Sequence, residues 1–238
     1  MKVGLIQTRG LGDIVIAAPI AMFYINNGHE VFWPIQDSFI NSFENAFPEI
    51  KFIPINVSKT GFNTAEYFYE MPKRILEDLN CDQIFCLYSH LTGYNFSESK
   101  ISQGLTFDAY KYAVANVPFE EKWNLHPIRN LNREKELLNL LSLNLDEPYI
   151  ITQESGTTIN VPYKKILNNL DLRVIELKEI TDNFFDWLTV IENCQEAFLI
   201  NSVFANLIDQ LNFKFKKTIY LHTESKWTPI LKNNWTFL

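Results

Sequence analysis

Short apolar segments alternate with helical stretches along the whole chain, and this alternation restricts the fold more than any other feature of the sequence. Val3–Gln7 is an almost continuous apolar run, as expected for a strand that is buried on both faces of a sheet. The helical stretch Ile14–Asn27 follows it and ends at Gly28, a residue suited to the position after a helix. Repeated strand–helix units build a parallel sheet with helices on its faces, so the sequence predicts an α/β fold.

The strands and helices fall into two groups on either side of an irregular segment around residues 117–131. The first group comprises the strands Val3–Gln7, Glu30–Ile35, Lys51–Ile55 and Gln83–Tyr88 and the helices Ile14–Asn27, Tyr67–Leu79 and Phe107–Asn116. The second group comprises the strands Pro148–Gln153, Leu172–Leu177, Ala197–Ile200 and Thr218–Leu221 and the helices Arg133–Leu143 (with Asn132 as its N-cap), Asn183–Asn193 and Ser202–Leu211. We therefore predict two small Rossmann-like domains that face a cleft, one over residues 1–130 and one over residues 131–238.

The charge and the cysteine content narrow the classes of function. The 28 acidic residues outnumber the 21 basic ones, and the net charge of −7 argues against broad binding to a nucleic-acid backbone. Three cysteines, Cys81, Cys86 and Cys194, are too few and too scattered for a disulfide framework. The N-terminus lacks the features of a signal peptide, and the longest apolar run, Ile14–Ile25, is too short to span a bilayer. We expect a cytoplasmic protein without a membrane span.

The turn between the first strand and the first helix carries the strongest chemical signal. Gly10 and Gly12 allow the backbone to approach a ligand closely, at the edge where open parallel sheets bind ligands. Asp13 falls in the first helical turn, where the helix dipole favours a charged carboxylate that could accept a proton from a sugar hydroxyl. The alternative is that Asp13 only caps the helix. A dinucleotide site is disfavoured because Val15 stands where that fingerprint needs a glycine.

This segment resembles the N-terminal motif of the heptosyltransferase-like glycosyltransferases of family 9, which have the GT-B fold. The similarity lies in Leu5–Val15, in Pro19, and in Gly28–Val31 at the start of the second strand. The resemblance implies a reduced GT-B-like pair of domains in which Asp13 is the catalytic base. It also implies that the N-terminal domain binds the acceptor, and there we expect contacts from Arg9, Gly10, Gly12 and His90. For His90, which follows a predicted strand, a solvated loop position is the alternative.

The same resemblance implies that the C-terminal domain binds the donor, a nucleoside-diphosphate sugar. In the family's diphosphate-binding turn an Asp, a Ser or Thr, a Gly and a later His recur. In this sequence Ser202 matches, and the other three positions hold Asn201, Val203 and Asn206. A helix N-terminus with Asn201 and Ser202 presents N–H groups that suit a phosphate, although the two residues equally suit a simple helix cap.

The turn after the first strand of the second domain offers further groups for the donor. Hydroxyls and a flexible backbone that suit diphosphate oxygens come from Ser155, Gly156, Thr157 and Thr158. Lys164 or Lys165 resembles the family's basic residue after this turn and would neutralise the charge of the leaving phosphate. Glu176, near a strand end, could accept the ribose hydroxyls. A solvated surface position is the alternative for both Lys164 and Glu176.

We therefore predict an inverting, metal-independent glycosyltransferase that moves a sugar from a nucleoside-diphosphate sugar to an acceptor hydroxyl and uses no cofactor. No Asp-x-Asp motif is present to bridge a metal ion to the diphosphate. The sequence also lacks a Gly-x-Ser-x-Gly elbow, a Walker A loop and a His-Glu-x-x-His helix, which excludes serine hydrolases, P-loop NTPases and zincins. Two alternatives stay open: a catalytically degenerate protein that binds a nucleotide or a partner, and a glycosyltransferase that acts on a modified nucleobase in DNA, which would make nucleic acid an acceptor only.

Overall fold

The computed structural model describes residues 1–56, 66–89, 104–156, 159–163, 167, 172–221, 227–232 and 234–238. The chain divides into two compact units. The first consists of Met1–Pro127 and Ser225–Ile230, and the second of Ile128–Glu224 and Leu231–Leu238. Each unit contains one parallel sheet with helices, which confirms the predicted α/β class and its two Rossmann-like parts.

The first unit is built on a four-stranded parallel sheet. Its strands, in the spatial order β3-β2-β1-β4, are β1 (Lys2–Ile6), β2 (Glu30–Gln36), β3 (Lys51–Ile55) and β4 (Gln83–Cys86). Strand β1 pairs with β2 on one side and with β4 on the other. Val3, Leu5 and Ile6 are fully buried there, which explains the continuous apolar sequence of this strand.

Helices follow the strands of the first unit in sequence. They are α1 (Leu11–Asn26), α2 (Ile40–Ala46), α3 (Met71–Asp78) and α4 (Phe107–Val114). The predicted helix Tyr67–Leu79 is divided: a π-helical turn over Glu66–Glu70 leads into α3, which has Pro72 in its first turn. Proline has no N–H to donate and is tolerated at that position, so the regular helix begins there. Helix α2 was not predicted, because it spans only seven residues.

The second unit contains a five-stranded parallel sheet. Its strands, in the order β6-β5-β7-β8-β9, are β5 (Tyr149–Thr152), β6 (Arg173–Glu176), β7 (Glu196–Ile200), β8 (Lys216–Tyr220) and β9 (Trp235–Phe237). The first four agree with the predicted strands. The strand β9 was not predicted, because a run of three residues is too short to display an apolar pattern.

The helices of the second unit are α5 (Leu131–Leu140), α6 (Leu188–Glu192) and α7 (Val203–Gln210). The N-cap of α5 is Asn130, whose side chain accepts the N–H of Arg133 at 3.2 Å. The predicted cap, Asn132, is wrong, because the helix begins earlier and includes it. A single 3₁₀ turn, Phe184–Trp187, precedes α6. Among the described residues, no helix has both the length and the apolar composition that crossing a membrane requires.

Residues near the chain end return to the first unit. The N–H of Ile230 donates to Asp108 Oδ2 at 2.8 Å. The Nζ atom of Lys122 donates to the same oxygen at 2.7 Å and to the Ile230 carbonyl at 2.5 Å. Asp108 and Lys122 are fully buried, so this ion pair ties the returning segment to α4. The sequence-based division after residue 130 lies close to the observed boundary but does not include this return.

Candidate active site

The strand order of the first sheet reverses between β1 and β4. From β1 the chain continues to β2 and β3 on one side, whereas β4 pairs with the other side of β1. In open parallel sheets, ligands bind beyond the carboxyl ends of the strands at such a reversal. The residues that follow the two strands at this edge are all buried: Gln7, Thr8, Leu87 and Tyr88. This edge of the first sheet is the candidate active site.

A glycine turn connects this edge to α1. Gly10 has a φ of 84°, in the left-handed region that favours glycine, and its carbonyl oxygen accepts the N–H of Ile14 at 2.9 Å. A β-carbon at Gly10 would lie only 2.6 Å from Asp13 Oδ2. Glycine therefore suits this position for two reasons: it adopts the backbone conformation without strain, and a larger residue would displace the Asp13 carboxylate.

Asp13 lies in the first turn of α1, where the N-terminal end of the helix suits its negative charge. Its side chain is 36% exposed, and its Oδ1 atom lies 2.9 Å from Nζ of Lys111 on α4. Asp13 therefore does more than lie at the start of α1, because its carboxylate also forms an ion pair with Lys111 of a second helix. It remains accessible to solvent and can accept a proton from a bound hydroxyl.

Lys111 belongs to this site, although no sequence motif indicated it. Its side chain is 2% exposed. Besides Asp13, its ammonium group donates to Gln7 Oε1 at 2.6 Å and to the Leu87 carbonyl oxygen at 3.2 Å. The available signal was a single lysine within the otherwise apolar helical segment Tyr110–Val114, since a buried lysine needs a charged or polar partner.

Side-chain hydrogen bonds fix the turn that precedes α1. The Tyr88 hydroxyl accepts the N–H of Arg9 at 3.0 Å and lies 3.0 Å from the Thr8 hydroxyl. Burial raises the pKa of Tyr88, so this hydroxyl stays neutral. Gln7 Nε2 donates to the Arg9 carbonyl at 2.7 Å, and the Gln7 carbonyl accepts Nε1–H of Trp33 at 3.1 Å. The backbone of Arg9 is held on two sides, while its side chain is exposed.

Three of the four predicted acceptor-binding residues lie beside Asp13. Arg9 and Gly10 form the turn, and Gly12 is the second residue of α1. His90 lies outside the described residues. The role of these residues in acceptor binding stays a prediction.

The second sheet reverses its strand order between β5 and β7. Ser202 follows β7 and is the N-cap of α7, where its Oγ accepts the N–H of Ala205 at 3.4 Å. The same hydroxyl donates to Oε1 of Gln153, which follows β5. The segments after β5 and β7, which carry the predicted donor-binding residues, are therefore linked at this edge.

The loop after β5 begins against the end of β7. A β-carbon at Gly156 would lie 2.7 Å from Cδ1 of Ile200, the residue directly before Asn201. The N–H of Gly156 donates to the Ile159 carbonyl at 2.9 Å, and Ser155 forms an antiparallel bridge with Asn160. The other predicted donor-binding residues of this region lie outside the described residues: Thr157, Thr158 and Lys164.

Two buried oxygen atoms near this edge have no hydrogen-bond partner among the described residues. They are Thr152 Oγ1, at the end of β5, and Asn206 Oδ1, in the first turn of α7. The exposed fractions of the two residues are 0% and 3%. Asn206 Nδ2 donates to the Ser202 carbonyl at 2.8 Å, which fixes the orientation of the amide. Buried polar atoms almost always have a partner, so these oxygens are candidates for contact with a bound molecule or a water.

Glu176 lies on the flank of this second site. It is the last residue of β6 and pairs in register with Thr152 of β5. Strand β5 lies between β6 and β7, so the backbone of Glu176 is about 10 Å from β7 across the sheet. Its Oε2 atom lies 3.6 Å from Nζ of Lys178. Glu176 shares the carboxyl edge with Ser202 but does not lie beside it.

No protein-family model matches the chain, and a comparison with curated proteins found no match. Solved structures do match it. A glycosyl transferase family 9 structure from Veillonella parvula DSM 2008 has a TM-score of 0.67 at 8% identity and covers 100% of this chain and 86% of that chain. The Escherichia coli ADP-heptose lipopolysaccharide heptosyltransferase II has a TM-score of 0.61 at 11% identity, with 100% of this chain and 90% of that chain covered. The E. coli heptosyltransferase WaaC with ADP-2-deoxy-2-fluoro heptose has a TM-score of 0.57 at 11% identity, with 100% and 93% covered.

The chain has the fold of these glycosyltransferases. The likeness confirms the predicted resemblance at the level of the fold. In this GT-B-like glycosyltransferase fold, each unit carries one candidate site at the carboxyl edge of its own sheet, where the strand order reverses. The sequence motifs led to Asp13 and Ser202. They did not lead to Lys111, Gln153 or Thr152, because those residues acquire a role only through contacts with other strands and helices.

Proposed function

We propose that the protein is an inverting, metal-independent glycosyltransferase that moves a sugar from a nucleoside-diphosphate sugar to an acceptor hydroxyl. The observation that carries the proposal is the Asp13 carboxylate, partly exposed and paired through Oδ1 with the buried Lys111. This carboxylate follows β1, at the edge where the strand order reverses in a glycosyltransferase-like fold. A fixed carboxylate at a ligand-binding edge is the group that sugar transfer to a hydroxyl needs as a general base.

In the proposed reaction the acceptor oxygen attacks the anomeric carbon of the donor sugar. As the new carbon–oxygen bond forms, the hydroxyl proton passes to the Asp13 carboxylate. The bond from the anomeric carbon to the diphosphate breaks, and the diphosphate leaves with the electron pair. Because the attack comes from the face opposite to the leaving group, one such step inverts the configuration at the anomeric carbon.

We assign the acceptor to the first unit and the donor to the second. Backbone N–H groups at the start of α7 suit the developing charge on the diphosphate. Ser155, Gly156 and Asn201 would contact the diphosphate from the adjacent segments, and Glu176 would accept ribose hydroxyls at the flank. Support comes from the buried oxygens of Thr152 and Asn206, which have no partner among the described residues. One matching structure holds ADP-2-deoxy-2-fluoro heptose, so an ADP-sugar is the first donor to test.

A nucleotide-binding protein without transferase activity is the second candidate. It is favoured by Asn201, Val203 and Asn206, which stand where the family motif has an Asp, a Gly and a His. An amide cannot supply the negative charge of an aspartate, and it does not act as an acid or base as histidine does. Loss of these groups would reduce turnover more than binding.

The deciding experiment incubates the protein with ADP-heptose, ADP-glucose, UDP-glucose or dTDP-glucose and a mixture of sugar acceptors. Mass spectrometry detects the new glycoside, and NMR determines its anomeric configuration. We expect a product of inverted configuration from the parent protein and transfer about 10²–10⁴-fold slower from Asp13→Asn. Transfer by Asp13→Asn at the parent rate would contradict the base assignment. Thermal stabilisation by a nucleotide sugar without turnover of any acceptor would favour the binding protein.

The same assay tests the metal requirement. We propose that neither a metal ion nor a cofactor takes part, so EDTA in about a thousandfold molar excess over the enzyme should leave the rate unchanged. Backbone N–H groups and a lysine would then supply the electrostatic stabilisation that a divalent cation supplies elsewhere. A rate that falls with EDTA and recovers with Mg²⁺ would contradict this part of the proposal.

A further inference from the structure

The buried lysine at the first site has no hydrogen-bond donor left for a substrate. A lysine ammonium carries three N–H groups. Three acceptors surround Nζ of Lys111: Asp13 Oδ1 at 2.9 Å, Gln7 Oε1 at 2.6 Å and the Leu87 carbonyl at 3.2 Å. With its side chain only 2% exposed, Lys111 is also out of reach of a bound sugar. Lys111 therefore acts on the reaction through the groups that it contacts and does not bind the substrate itself.

Two of the three partners are fixed by the sheet. Leu87 directly follows β4, and its backbone is held in place because its N–H donates to the Ile6 carbonyl at 3.0 Å. Gln7 is 1% exposed, and its Nε2 donates to the Arg9 carbonyl at 2.7 Å, so its Oε1 is oriented toward the lysine. These contacts fix the position of the ammonium independently of Asp13.

The third partner, Asp13, is the one that reaches solvent. Its Oδ1 is held by the fixed ammonium, and its Oδ2 occupies the space that a β-carbon at Gly10 would fill. The carboxylate is thus confined between a lysine and a glycine. This confinement distinguishes the two oxygens, because Oδ1 faces the ammonium and Oδ2 faces Gly10.

We propose that Lys111 is a positioning residue for Asp13, which anchors Oδ1 so that Oδ2 meets the acceptor hydroxyl. This inference rests on the proposed role of Asp13 as the base. A carboxylate that rotates freely would spend less time in the geometry of proton transfer, whereas one anchored by a buried ammonium is already oriented. Removal of the ammonium should therefore lower kcat and leave donor binding unchanged.

The test compares the parent, Lys111→Met, Asp13→Asn and the double variant, with ADP-heptose as donor and water as acceptor. We expect Lys111→Met to lower kcat about tenfold or more, with little change in the KM for ADP-heptose. In the Asp13→Asn background the same change should have no further effect on kcat, because the group that Lys111 orients is gone. Effects that multiply in the double variant would overturn the proposal.

Lys122→Met is the matched control. It removes a second fully buried ammonium from the same unit, where Lys122 pairs with Asp108 and the Ile230 carbonyl. We expect it to lower the thermal midpoint while kcat per folded molecule is kept. If Lys122→Met lowers kcat as strongly as Lys111→Met does, the effect at Lys111 is a general loss of stability and the proposal fails.

A ligand-free measurement separates this inference from the proposed function. Urea unfolding of the parent, Lys111→Met, Asp13→Ala and their double variant gives the coupling free energy between Lys111 and Asp13 without any substrate, because alanine removes the contact that asparagine would keep. Non-additive changes in the unfolding free energy support the anchoring contact, and additive changes overturn it. If the parent does not turn over ADP-heptose while the unfolding data are non-additive, the choice of donor or the transferase function fails and the contact between Lys111 and Asp13 stands.

Discussion

The two strand reversals differ in how their buried polar groups are satisfied. At the first, Lys111 has three acceptors within hydrogen-bonding distance, and the Tyr88 hydroxyl contacts the turn before α1. At the second, Thr152 and Asn206 each hold a buried oxygen without a partner among the described residues. A network that is complete without a ligand fixes its side chains, whereas unsatisfied atoms find their partners in what the site binds. This difference agrees with the proposal that the chemical step belongs to the first edge and donor binding to the second.

Asp13→Asn should produce the largest of the expected effects, a loss of sugar transfer without a loss of nucleotide binding. Loss of a general base lowers the rate by about 10²–10⁴-fold, whereas the asparagine oxygen can still accept from Lys111 and preserve the fold. Sugar transfer and nucleotide-induced thermal stabilisation should be measured on the same preparation. Loss of transfer with retained nucleotide binding supports the division of roles between the two edges. Loss of both would mean that Asp13 also serves the donor site.

Gly10→Ala should have the next largest effect, and Gly28→Ala is its control. Both glycines have a positive φ, 84° and 79°, so alanine should cost about 1–2 kcal/mol of stability at either position. A β-carbon at Gly10 would also lie 2.6 Å from Asp13 Oδ2, while at Gly28 it meets no atom within 4 Å. We expect the rate of sugar transfer to fall about tenfold to a hundredfold for Gly10→Ala only. Equal rates in the two variants would show that the carboxylate does not depend on this space.

The sequence alone predicted those helices, strands and turns whose residues form a recognisable local pattern. Strand β1 and helix α1 were predicted because their apolar residues are consecutive or evenly spaced, and Gly10–Asp13 because a turn between them lies at the ligand edge. The short elements α2 and β9 have too few residues for a period to be visible. The predicted helix divides just before Pro72: the proline is compatible with the start of α3, but the apolar pattern does not specify the π-helical turn over Glu66–Glu70.

The parts of the site that escaped prediction depend on contacts between distant segments. Lys111 and Gln7 are 104 positions apart, and they meet only because α4 packs beside the ends of β1 and β4. Ser202 and Gln153 are 49 positions apart, and the pairing of β5 with β7 brings them together. A sequence motif identifies residues next to a turn, whereas the partner that orients such a residue is decided by the topology of the sheet.

Ser202→Ala should have a moderate effect, and Asn130→Ala is its control. Each residue caps a helix of the second unit, so each change should reduce stability by about 1 kcal/mol. Only Ser202 also donates to Gln153 at the strand reversal. We expect the affinity for ADP, measured by calorimetry, to fall about fivefold in Ser202→Ala, the equivalent of one hydrogen bond, and to stay unchanged in Asn130→Ala. A similar loss in both would assign the effect to helix stability alone.

Thr152→Val should have the smallest effect and gives the most direct test of the contrast between the two edges. Valine has nearly the shape of threonine, and the hydroxyl it replaces has no partner among the described residues, so the unfolding free energy of the ligand-free protein should stay equal or rise by up to about 1 kcal/mol. If that hydroxyl contacts the donor, the affinity for ADP should fall about two- to fivefold. Thr152→Ser reverses the pattern: it keeps the hydroxyl and loses a methyl group, so stability should fall by about 1 kcal/mol while affinity is retained. A marked loss of stability in Thr152→Val would mean that the hydroxyl is already satisfied without a ligand, and the contrast between the two edges would then rest on Asn206 alone.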